Sequence, residues 1–441
     1  MNAPHPSPPL SRLLELTADA VAAVLAGRSL TDALAACAAP ARPGVQALSF
    51  TVMRRLGAAQ AVRARLAPKA PPPVVDALLC SAIALLWPDD APPYPDHTLV
   101  DQAVTAARRK VPAASGFLNA VLRRFIRERA ALVQEVSHEP VAAWNHPLWW
   151  IERLRHDWPG HWTALLQQAQ QRPPMTLRVN RRHGTRDTYL ARLQAAGLAA
   201  RAMPDSPDAV LLAQPVGVEQ LPGFAQGDVS VQDLAAQRAA PLLLGAGLAP
   251  GARVLDACAA PGGKTAHLLE CADLDLLALD TDAARLSRVD DTLRRLGLAA
   301  RTQAADARRP ASWWDGQPFD AIMLDAPCSG SGVVRRHPDI RWLRRPEDIA
   351  ALAAVQAELL EALWPLLAPG GRLLYATCSI FRAEGDAQID AFLQRHGPGG
   401  ARLEALSPGH LLPLPDNRAT VTEASPADGF YYALLSKPRA P

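Results

Sequence analysis

The chain has 441 residues, of which 49% are hydrophobic and 20% are charged, and its formal net charge is +3. This length predicts two or three globular domains, and so mild a charge is not by itself a sign of nucleic-acid binding. Six widely spaced cysteines without a CxxC pair argue against a structural metal site and against a need for disulfides, which favours a reducing cytoplasm.

The N-terminal third is predicted to form an all-helical domain over residues 1–138. Its first nine residues lack the charged and apolar regions of a signal peptide, and no uninterrupted apolar stretch of the chain approaches the ~18–20 residues of a membrane span. We therefore expect a soluble, cytoplasmic protein without membrane contact. Apolar residues recur at helical spacing before Gly27 and again at 45–66, 74–87, 98–110 and 115–134.

The last two of these helices are basic. From Asp101 to Arg129, seven lysines and arginines stand against two acids. Taken alone, such a run favours a solvated helix face over a nucleic-acid-binding surface.

Residues 139–240 are predicted to form a small α+β connector. Met175–Asn180 and Ala209–Leu212 have the composition of strands, and 185–196 has the periodicity of a helix between them.

From 241 to 441 the chain alternates strands and helices, which predicts an α/β domain with a mostly parallel, Rossmann-like sheet and helices on both faces. The predicted strands are Arg253–Ala257, Leu276–Leu279, Phe319–Leu324, Arg372–Thr377 and Phe430–Leu435. The predicted helices are 263–271, 282–297, 347–367 and 384–396. Right-handed crossovers would place all the strand-to-helix turns at one edge of the sheet.

A glycine-bearing turn follows the first of these strands, in Asp256–Thr265. Gly262 and Gly263 allow a close backbone approach, and free N–H groups at a helix start attract an anionic group. The P-loop signature of an NTPase nearly fits, but Cys258 stands where its first glycine belongs. Cys258 is expected to pack beneath the turn. These residues alone do not distinguish a cofactor-binding turn from a turn with a purely structural role.

Acidic residues close or follow the neighbouring strands at Asp280, Asp306 and Asp325. An acid in the place of Asp280 can accept hydrogen bonds from both hydroxyls of a ribose, and Asp306 could face an adenine amino group. Each acid alone could be a helix N-cap. Three at successive strand ends predict an adenosine-containing cofactor lying across the sheet.

Cys328 and Cys378 each follow an apolar strand and lie beside small residues. A thiolate is the reactive form of cysteine, and nearby arginines or helix N-termini lower the thiol pKa. Five arginines and one acid lie within Arg335–Arg345, shortly after Cys328. That run predicts either a solvated surface or a phosphate-binding surface beside the site. The remaining cysteines read as small buried hydrophobic residues, namely Cys37, Cys80 and Cys271.

This set of groups suits methylation of cytosine at carbon 5. That carbon is a poor nucleophile until a thiolate adds to carbon 6 and makes the ring enamine-like. The scheme needs a nucleophilic cysteine, a group that assists proton removal or release, an acid at the N3/N4 edge and a methyl donor. The two cysteines, Asp325 and the adenosine-type site supply these four, and the base must leave its stack to reach them.

The motifs Asp256–Thr265, Asp325–Gly330 and Thr377–Ser379 resemble those of the RNA cytosine-5 methyltransferases of the Sun/NSUN family. The resemblance implies that Cys378 attacks carbon 6 and that Cys328 helps to resolve the adduct, with Asp325 as a further catalytic group and no metal. It also implies S-adenosylmethionine as the cofactor, bound at Cys258, Ala259, Ala260, Pro261, Gly262, Gly263, Lys264, Asp280, Asp306 and Asp325.

The first domain resembles the RNA-binding NusB fold in Val100–Val104 and Gly116–Arg124. Together with His146–Trp149, Leu177–Asn180 and Arg335–Asp339, this implies a bacterial 16S rRNA enzyme, a monomer that acts on free RNA or on an early small-subunit intermediate. If the resemblance holds, the basic helices within Asp101–Arg129 are expected to form an RNA-binding surface. The alternative is that the protein is not an enzyme but an RNA-binding or assembly factor. The presence of both cysteines argues against this alternative.

Overall fold

The computed structural model describes residues 8–88, 92, 94–204, 206–245, 247–415 and 425–439. They form two compact units: the chain up to Gln170 together with Val334–Pro346, and Gln171–Val333 together with the chain from Glu347 onward. Most of the N-terminal segment, for which we predict no signal peptide, lies outside the described residues. The domain boundaries after residues 138 and 240 remain predictions.

Helices build the first unit. They are α1 (Leu10–Leu25), α2 (Leu30–Ala35), α3 (Arg42–Leu66), α4 (Pro73–Leu85), α5 (Asp96–Lys110), α6 (Ser115–Val136), α7 (Pro140–Trp144), α8 (Leu148–Asp157) and α9 (Trp162–Gln168). Leu14, Ala18, Val21 and Val24 form one buried stripe on α1, as an amphipathic helix requires. The helical stretches predicted here are confirmed, and α2 is an additional short helix that we did not predict.

A small antiparallel sheet with one helix opens the second unit. Its elements are β1 (Thr176–Val179), α10 (Arg186–Ala195), β2 (Ala200–Ala202), β3 (Ala209–Leu212) and β4 (Val229–Val231), in the order β2-β3-β1-β4. Thr185 caps α10 by accepting a hydrogen bond from the backbone of Thr188, and Tyr189 and Leu193 bury the inner face of that helix. The predicted strand–helix–strand pattern is confirmed; β2 and β4 are too short to give a periodic signal.

A larger sheet follows. Its unit contains α11 (Ala239–Leu244), β5 (Ala252–Ala257), α12 (Gly263–Cys271), β6 (Leu274–Asp280), α13 (Ala283–Leu296), β7 (Arg301–Ala304) and β8 (Phe319–Asp325). After α14 (Ile340–Leu343), which belongs to the first unit, come α15 (Pro346–Leu363), β9 (Leu367–Thr377), α16 (Asp386–Gly400), β10 (Arg402–Leu403), β11 (Gly409–Leu411) and β12 (Phe430–Ser436). The strand order is β10-β12-β9-β8-β5-β6-β7, with β11 paired to β12. Strands β5 to β9 pair in parallel and β10 to β12 pair antiparallel, so the prediction of a mostly parallel sheet is confirmed.

Alternate residues of the central strands point into different cores. On β9, Leu374 and Ala376 pack with residues of α11, α12 and α13, whereas Leu373 and Tyr375 pack with residues of α15 and α16. A strand buried on both sides reads as a continuous apolar run, which is what the sequence of β9 shows. Helices therefore cover both faces of the sheet, as predicted.

One stretch among the described residues, Pro346–Leu366, is long and apolar enough to cross a membrane by length and composition alone. Leu359, Leu360 and Leu363 lie on its inner face and are buried in the core of the large sheet. Such burial is typical of a core helix in a globular protein, which passes the same test of length and composition.

The prediction that the arginine run Arg335–Arg345 forms a solvated or phosphate-binding surface is wrong for its buried members, because the segment Val334–Pro346 is part of the first unit. It packs with the first unit: the Trp342 indole N–H donates to the carbonyl of Met53 at 2.8 Å, and Asp339 accepts from the amide of Leu30 at 2.9 Å. Arg341 is fully buried and donates to the carbonyl of Ala169 at 2.8 Å. Burial lowers the pKa of Arg341 to about 9.

Arg335, in the same run, is also buried, at 2% exposure. Neither Arg335 nor Arg341 is therefore part of a solvated or phosphate-binding surface. Sequence proximity to Cys328 suggested that role, but the apolar residues Trp342 and Leu343 carry this stretch into the core of the first unit.

Packing of this segment makes Gly57 sensitive to substitution. A methyl group on Gly57, inside α3, would lie 2.6 Å from the carbonyl oxygen of Val141 and 3.1 Å from the Trp342 ring. We expect Gly57→Ala to destabilise the first unit by about 1–3 kcal/mol through overpacking, measured as a lower urea midpoint. Gly116→Ala on α6 is the matched control, because nothing lies within 4 Å of its added methyl group. It should leave the midpoint unchanged or raise it; equal losses in both variants would contradict the packing argument.

Candidate active site

The predicted site residues converge at one edge of the large sheet. Strands β9, β8, β5 and β6 are consecutive neighbours and run parallel, so their carboxyl ends meet. Asp280 ends β6 and Asp325 ends β8, while Cys258 and Cys378 directly follow β5 and β9. Ligands of open α/β sheets bind in the crevice beyond these ends.

The glycine turn after β5 leads directly into α12. Gly262 has a φ of 96°, in the left-handed region, and a methyl group on it would lie 3.0 Å from the Cα of Val289. Glycine is needed there on both grounds. Gly263 opens the helix, whose first backbone N–H groups have no acceptor within the helix. Burial raises the pKa of the Cys258 thiol above its ordinary value, which is consistent with a packing role.

Asp280 is held by the backbone around the crevice. Its carboxylate is almost fully buried and accepts hydrogen bonds from the amides of Ala260, at 3.2 Å, and Asp282, at 3.1 Å. The side chain of Asp282 in turn caps α13. Asp280 thus fixes the glycine turn against the start of α13, and its ribose contact remains a prediction.

Asp306 is engaged by a residue that the sequence reasoning did not single out. The Arg308 guanidinium donates to both of its carboxylate oxygens, at 3.1 and 2.9 Å. This hydrogen bonding, together with the Arg308 backbone amide and charge, lowers the pKa of Asp306. A contact from Asp306 to an adenine amino group remains a prediction, in which Arg308 would share the carboxylate.

Lys264 links the glycine turn to the end of β8. Its ammonium donates to the Asp325 carboxylate at 2.6 Å and lies 5.4 Å from the centre of the Phe430 ring. Burial alone would lower the pKa of Lys264, but the charge and the hydrogen bond of Asp325, together with the charges of Cys378 and Asp256, outweigh it, so this pKa is raised. The ammonium therefore stays charged beside the catalytic candidates.

The two predicted cysteines lie side by side. The sulfur atoms of Cys328 and Cys378 are 3.4 Å apart, and both residues are partly exposed. The amide of Gly332 donates to the carbonyl of Cys378 at 2.9 Å, which ties the two loops together. The hydrogen bond with Cys378 and burial hold the pKa of Cys328 well above its ordinary value.

A buried carboxylate that is hydrogen-bonded to both cysteine loops is a second residue that the sequence reasoning missed. Glu384 has no exposed surface, and it accepts hydrogen bonds from the amide and hydroxyl of Ser329 and from the hydroxyl of Ser379. Each serine directly follows one of the cysteines. The repeated Cys-Ser pair was visible in the sequence, but nothing in the sequence connected it to an acid downstream.

One group of potential metal ligands occurs among the described residues, formed by Asp208, His267 and Cys271. Asp208 already accepts from the Arg181 guanidinium at 2.6 Å. Burial, and then the charges of Arg178 and Arg181, lower the pKa of His267. The same two positive charges oppose a cation, so we assign no metal to this cluster.

Three protein families match successive parts of the chain, and the whole chain is similar to a known methyltransferase. A family described as "16S rRNA methyltransferase RsmB/F" matches residues 247–436, a ferredoxin-like domain described as RsmF/B-like matches 146–219, and the NusB family matches 12–127. The chain is similar to "Ribosomal RNA small subunit methyltransferase B" of Pseudomonas syringae pv. tomato, with 47% identity over 95% of this chain and 96% of that protein.

Two solved structures resemble the fold. The crystal structure of PH0851 is 24% identical, with a TM-score of 0.76 over 98% of this chain and all of that one. The structure of NSun6 from Pyrococcus horikoshii with SFG is 19% identical, with a TM-score of 0.56 over 67% of this chain and 99% of that one. At these identities the likeness supports the fold alone.

The buried acid under the glycine turn predicts a pH dependence of stability. Asp256 is fully buried and accepts from the Thr265 hydroxyl at 2.6 Å, and burial raises its pKa to about 7. The folded state therefore keeps a proton that the unfolded chain releases above pH ~4. Its contribution to stability is fully present below that pH and is lost as the pH rises through about 7.

We expect Asp256→Asn to abolish this loss, which amounts to as much as ~4 kcal/mol. The measurement is the urea midpoint of the wild type and variant between pH 4 and pH 8. Asp291→Asn, on the exposed face of α13, is the control and should keep the wild-type profile. Parallel profiles for Asp256→Asn and wild type would show that this acid ionises normally in the folded state.

Proposed function

The chain belongs to the RsmB/F family of 16S rRNA methyltransferases, and from that membership we propose that it methylates carbon 5 of a cytosine in 16S rRNA through a covalent cysteine adduct. The observation that carries the chemistry is the pair of thiols 3.4 Å apart at the ends of β8 and β9. A pair of this kind can place one sulfur on carbon 6 while the other remains within reach of the same ring.

The two sulfurs have different roles in the proposal. The Cys378 thiolate forms a bond to carbon 6, and the electron pair thereby released onto carbon 5 takes the methyl group. A water molecule then takes the carbon 5 proton, the electron pair of the broken C–H bond re-forms the double bond between carbons 5 and 6, and the bond from Cys378 to carbon 6 breaks so that Cys378 leaves as the thiolate. Cys328, whose sulfur lies 3.4 Å from that of Cys378, assists this second half by helping the adduct to resolve.

Charge around the pair supports this division of labour. The pKa of the Lys264 ammonium is raised by Asp325 and, to a smaller extent, by Cys378, so a cation lies near this thiol. Asp325, held by Lys264, stands at the end of β8 where it can engage the N3/N4 edge of a cytosine turned out of its stack. The three groups act on one ring from the same edge of the sheet.

S-adenosylmethionine fits the residues of the crevice. When bound, it supplies an electrophilic methyl group on a positively charged sulfur. The turn from Cys258 to Lys264 would hold its amino-acid end at the start of α12, and Asp280, Asp306 and Asp325 offer the carboxylates that ribose hydroxyls, an adenine amino group and a sulfonium ion prefer.

RNA is the substrate that family membership supports, and the first unit offers a basic surface for it. Arg108, Arg109, Arg123, Arg124 and Arg127 are exposed on α5 and α6. We propose that these helices hold the phosphate backbone, which would give a salt-dependent affinity. A cytoplasmic monomer that acts on free 16S rRNA or on an early subunit intermediate completes the proposal.

The roles of the two cysteines can be separated by trapping. We expect Cys378→Ala to abolish methyl transfer without retaining RNA, because no bond to carbon 6 can form. Cys328→Ala should accumulate a protein–RNA adduct that survives denaturation, because addition proceeds while release stalls. The measurement is denaturing gel electrophoresis of labelled 16S rRNA with each variant.

Cys37→Ala is the matched control, since Cys37 packs in the first unit, and it should behave as wild type. If Cys378→Ala were the variant that retained RNA, the two roles would be reversed. If neither variant changed methyl transfer, the covalent mechanism itself would be wrong.

Asp280 should affect the cofactor more than the RNA. We expect Asp280→Ala to weaken S-adenosylmethionine binding by about tenfold or more, the loss of a charged hydrogen bond, while RNA affinity changes less than twofold. Calorimetric titrations with each ligand measure both. Asp275→Ala, at the opposite end of β6, is the control and should leave both affinities unchanged. Equal losses for the two ligands would remove the ribose role.

A further inference from the structure

Arg178 joins the small antiparallel sheet to the helix that follows the glycine turn. Along β1, Leu177 and Val179 point into the core shared with α10, so Arg178 points to the opposite face of that sheet. There its Nε and Nη2 atoms donate to the two carboxylate oxygens of Glu270 on α12, each at 2.8 Å. Arg178 is 1% exposed and Glu270 is 4% exposed, so the ion pair is buried.

The remaining nitrogen of the Arg178 guanidinium reaches the glycine turn. Nη1 donates to the carbonyl of Gly263 at 3.0 Å and to the side-chain oxygen of Gln232. Gln232 in turn donates to the same carbonyl at 3.4 Å. Gly263 and Glu270 lie about two turns apart on one face of α12, and Arg178 binds both of them.

Packing alone does not require charges at this place. A buried ion pair loses much of its favourable energy to desolvation, and apolar side chains of similar volume commonly pack with equal or greater stability. Apolar side chains cannot, however, donate a hydrogen bond to the carbonyl of Gly263. An arginine is needed here when the orientation of that peptide group matters.

The peptide group between Gly263 and Lys264 determines where one N–H at the start of α12 points. A peptide group is planar and trans, so its carbonyl and its N–H point in opposite directions. The bond from Arg178 to the Gly263 carbonyl therefore directs the amide of Lys264 away from Arg178. This amide is among the first N–H groups of the helix, which have no acceptor within it and attract an anionic group.

We propose that Arg178 is a positioning residue for the cofactor, which orients the start of α12 so that its N–H groups bind the carboxylate of S-adenosylmethionine. The inference rests on the proposed function, because that cofactor is part of it. Arg178 touches neither cofactor nor RNA in this account and acts through Gly263. The small sheet thereby becomes part of the support of the cofactor site.

The test replaces the ion pair without leaving a buried charge. Arg178→Met combined with Glu270→Met fills the space with apolar side chains and removes the donor to the Gly263 carbonyl. We expect calorimetric titration to show S-adenosylmethionine bound about tenfold more weakly, as for the loss of a hydrogen bond from a charged group. The affinity for RNA and the urea midpoint should stay close to those of the wild type.

Arg182→Met is the matched control, because Arg182 also connects the chain after β1 to α12 but binds near its other end. Its guanidinium donates to the carbonyls of Leu269, at 2.7 Å, and Ala272, at 3.2 Å. The affinity for S-adenosylmethionine should therefore equal that of the wild type. Wild-type affinity in the double variant, or equal losses in the double variant and Arg182→Met, would overturn the proposal.

Hydrogen exchange of the cofactor-free protein measures the positioning itself. In the double variant, the amides of residues 259–266 should exchange about tenfold faster, the same free energy as the expected loss of affinity. The amides of α10, which packs on the other face of β1, should exchange at the wild-type rate. Unchanged exchange at 259–266, or equally faster exchange in α10, would overturn the proposal. If the wild type bound no S-adenosylmethionine, the proposed function would be wrong, and the exchange would still decide whether Arg178 holds the turn.

Arg178→Lys provides the test if the double variant does not reach the wild-type circular dichroism spectrum. Lysine keeps a positive charge beside Glu270, but its ammonium is a single centre in place of the guanidinium fork. We expect this variant to bind S-adenosylmethionine about threefold more weakly and to exchange faster at 259–266. Wild-type affinity and exchange in Arg178→Lys would show that only the charge is needed and would overturn the proposal.

Discussion

The pairing of β8 with β9 is the constraint on which the rest of the active site depends. In this parallel register Asp325 lies opposite Ala376, so the two strands end side by side and the loops that follow them start from the same edge. The chain needs only three residues after β8 and one after β9 to bring the two sulfurs to 3.4 Å. The apolar side chains of β9, buried on both faces, hold that register against slippage.

Around this pair of strands the fold gathers acidic side chains and a lysine that are buried or partly buried. Asp280, Asp325 and Glu384 stand at or below the carboxyl edge, and Lys264 is the cation set among them. Backbone amides, hydroxyls or Lys264 donate hydrogen bonds to these carboxylates, which fixes their positions in the site. The two cysteines of the proposed mechanism lie at this same edge, with their sulfurs 3.4 Å apart.

The stretch Val334–Pro346 shows how the path of the chain differs from its sequence order. It follows Cys328 within a few residues, yet it packs with the helices of the first unit through Trp342, Asp339 and Arg341. Its buried Arg341 donates to backbone carbonyls instead of phosphates. The RNA surface that we propose lies on exposed arginines of α5 and α6, within a stretch in which basic residues outnumber acids by seven to two.

The sequence by itself determined the large elements and the place of the site. The strand–helix alternation, the glycine turn and the cysteines at strand ends follow from short-range periodicity and backbone preferences, which a single sequence displays. Tertiary structure alone decided how the side chains are connected. Ser329 and Glu384 are 55 positions apart, as are many partners of a buried hydrogen-bond network, and no local pattern records such a contact. Burial of Arg335 and Arg341 likewise depends on what the rest of the chain packs against them, because the same charged run is stable on a surface or, when carbonyls accept its hydrogen bonds, inside a core.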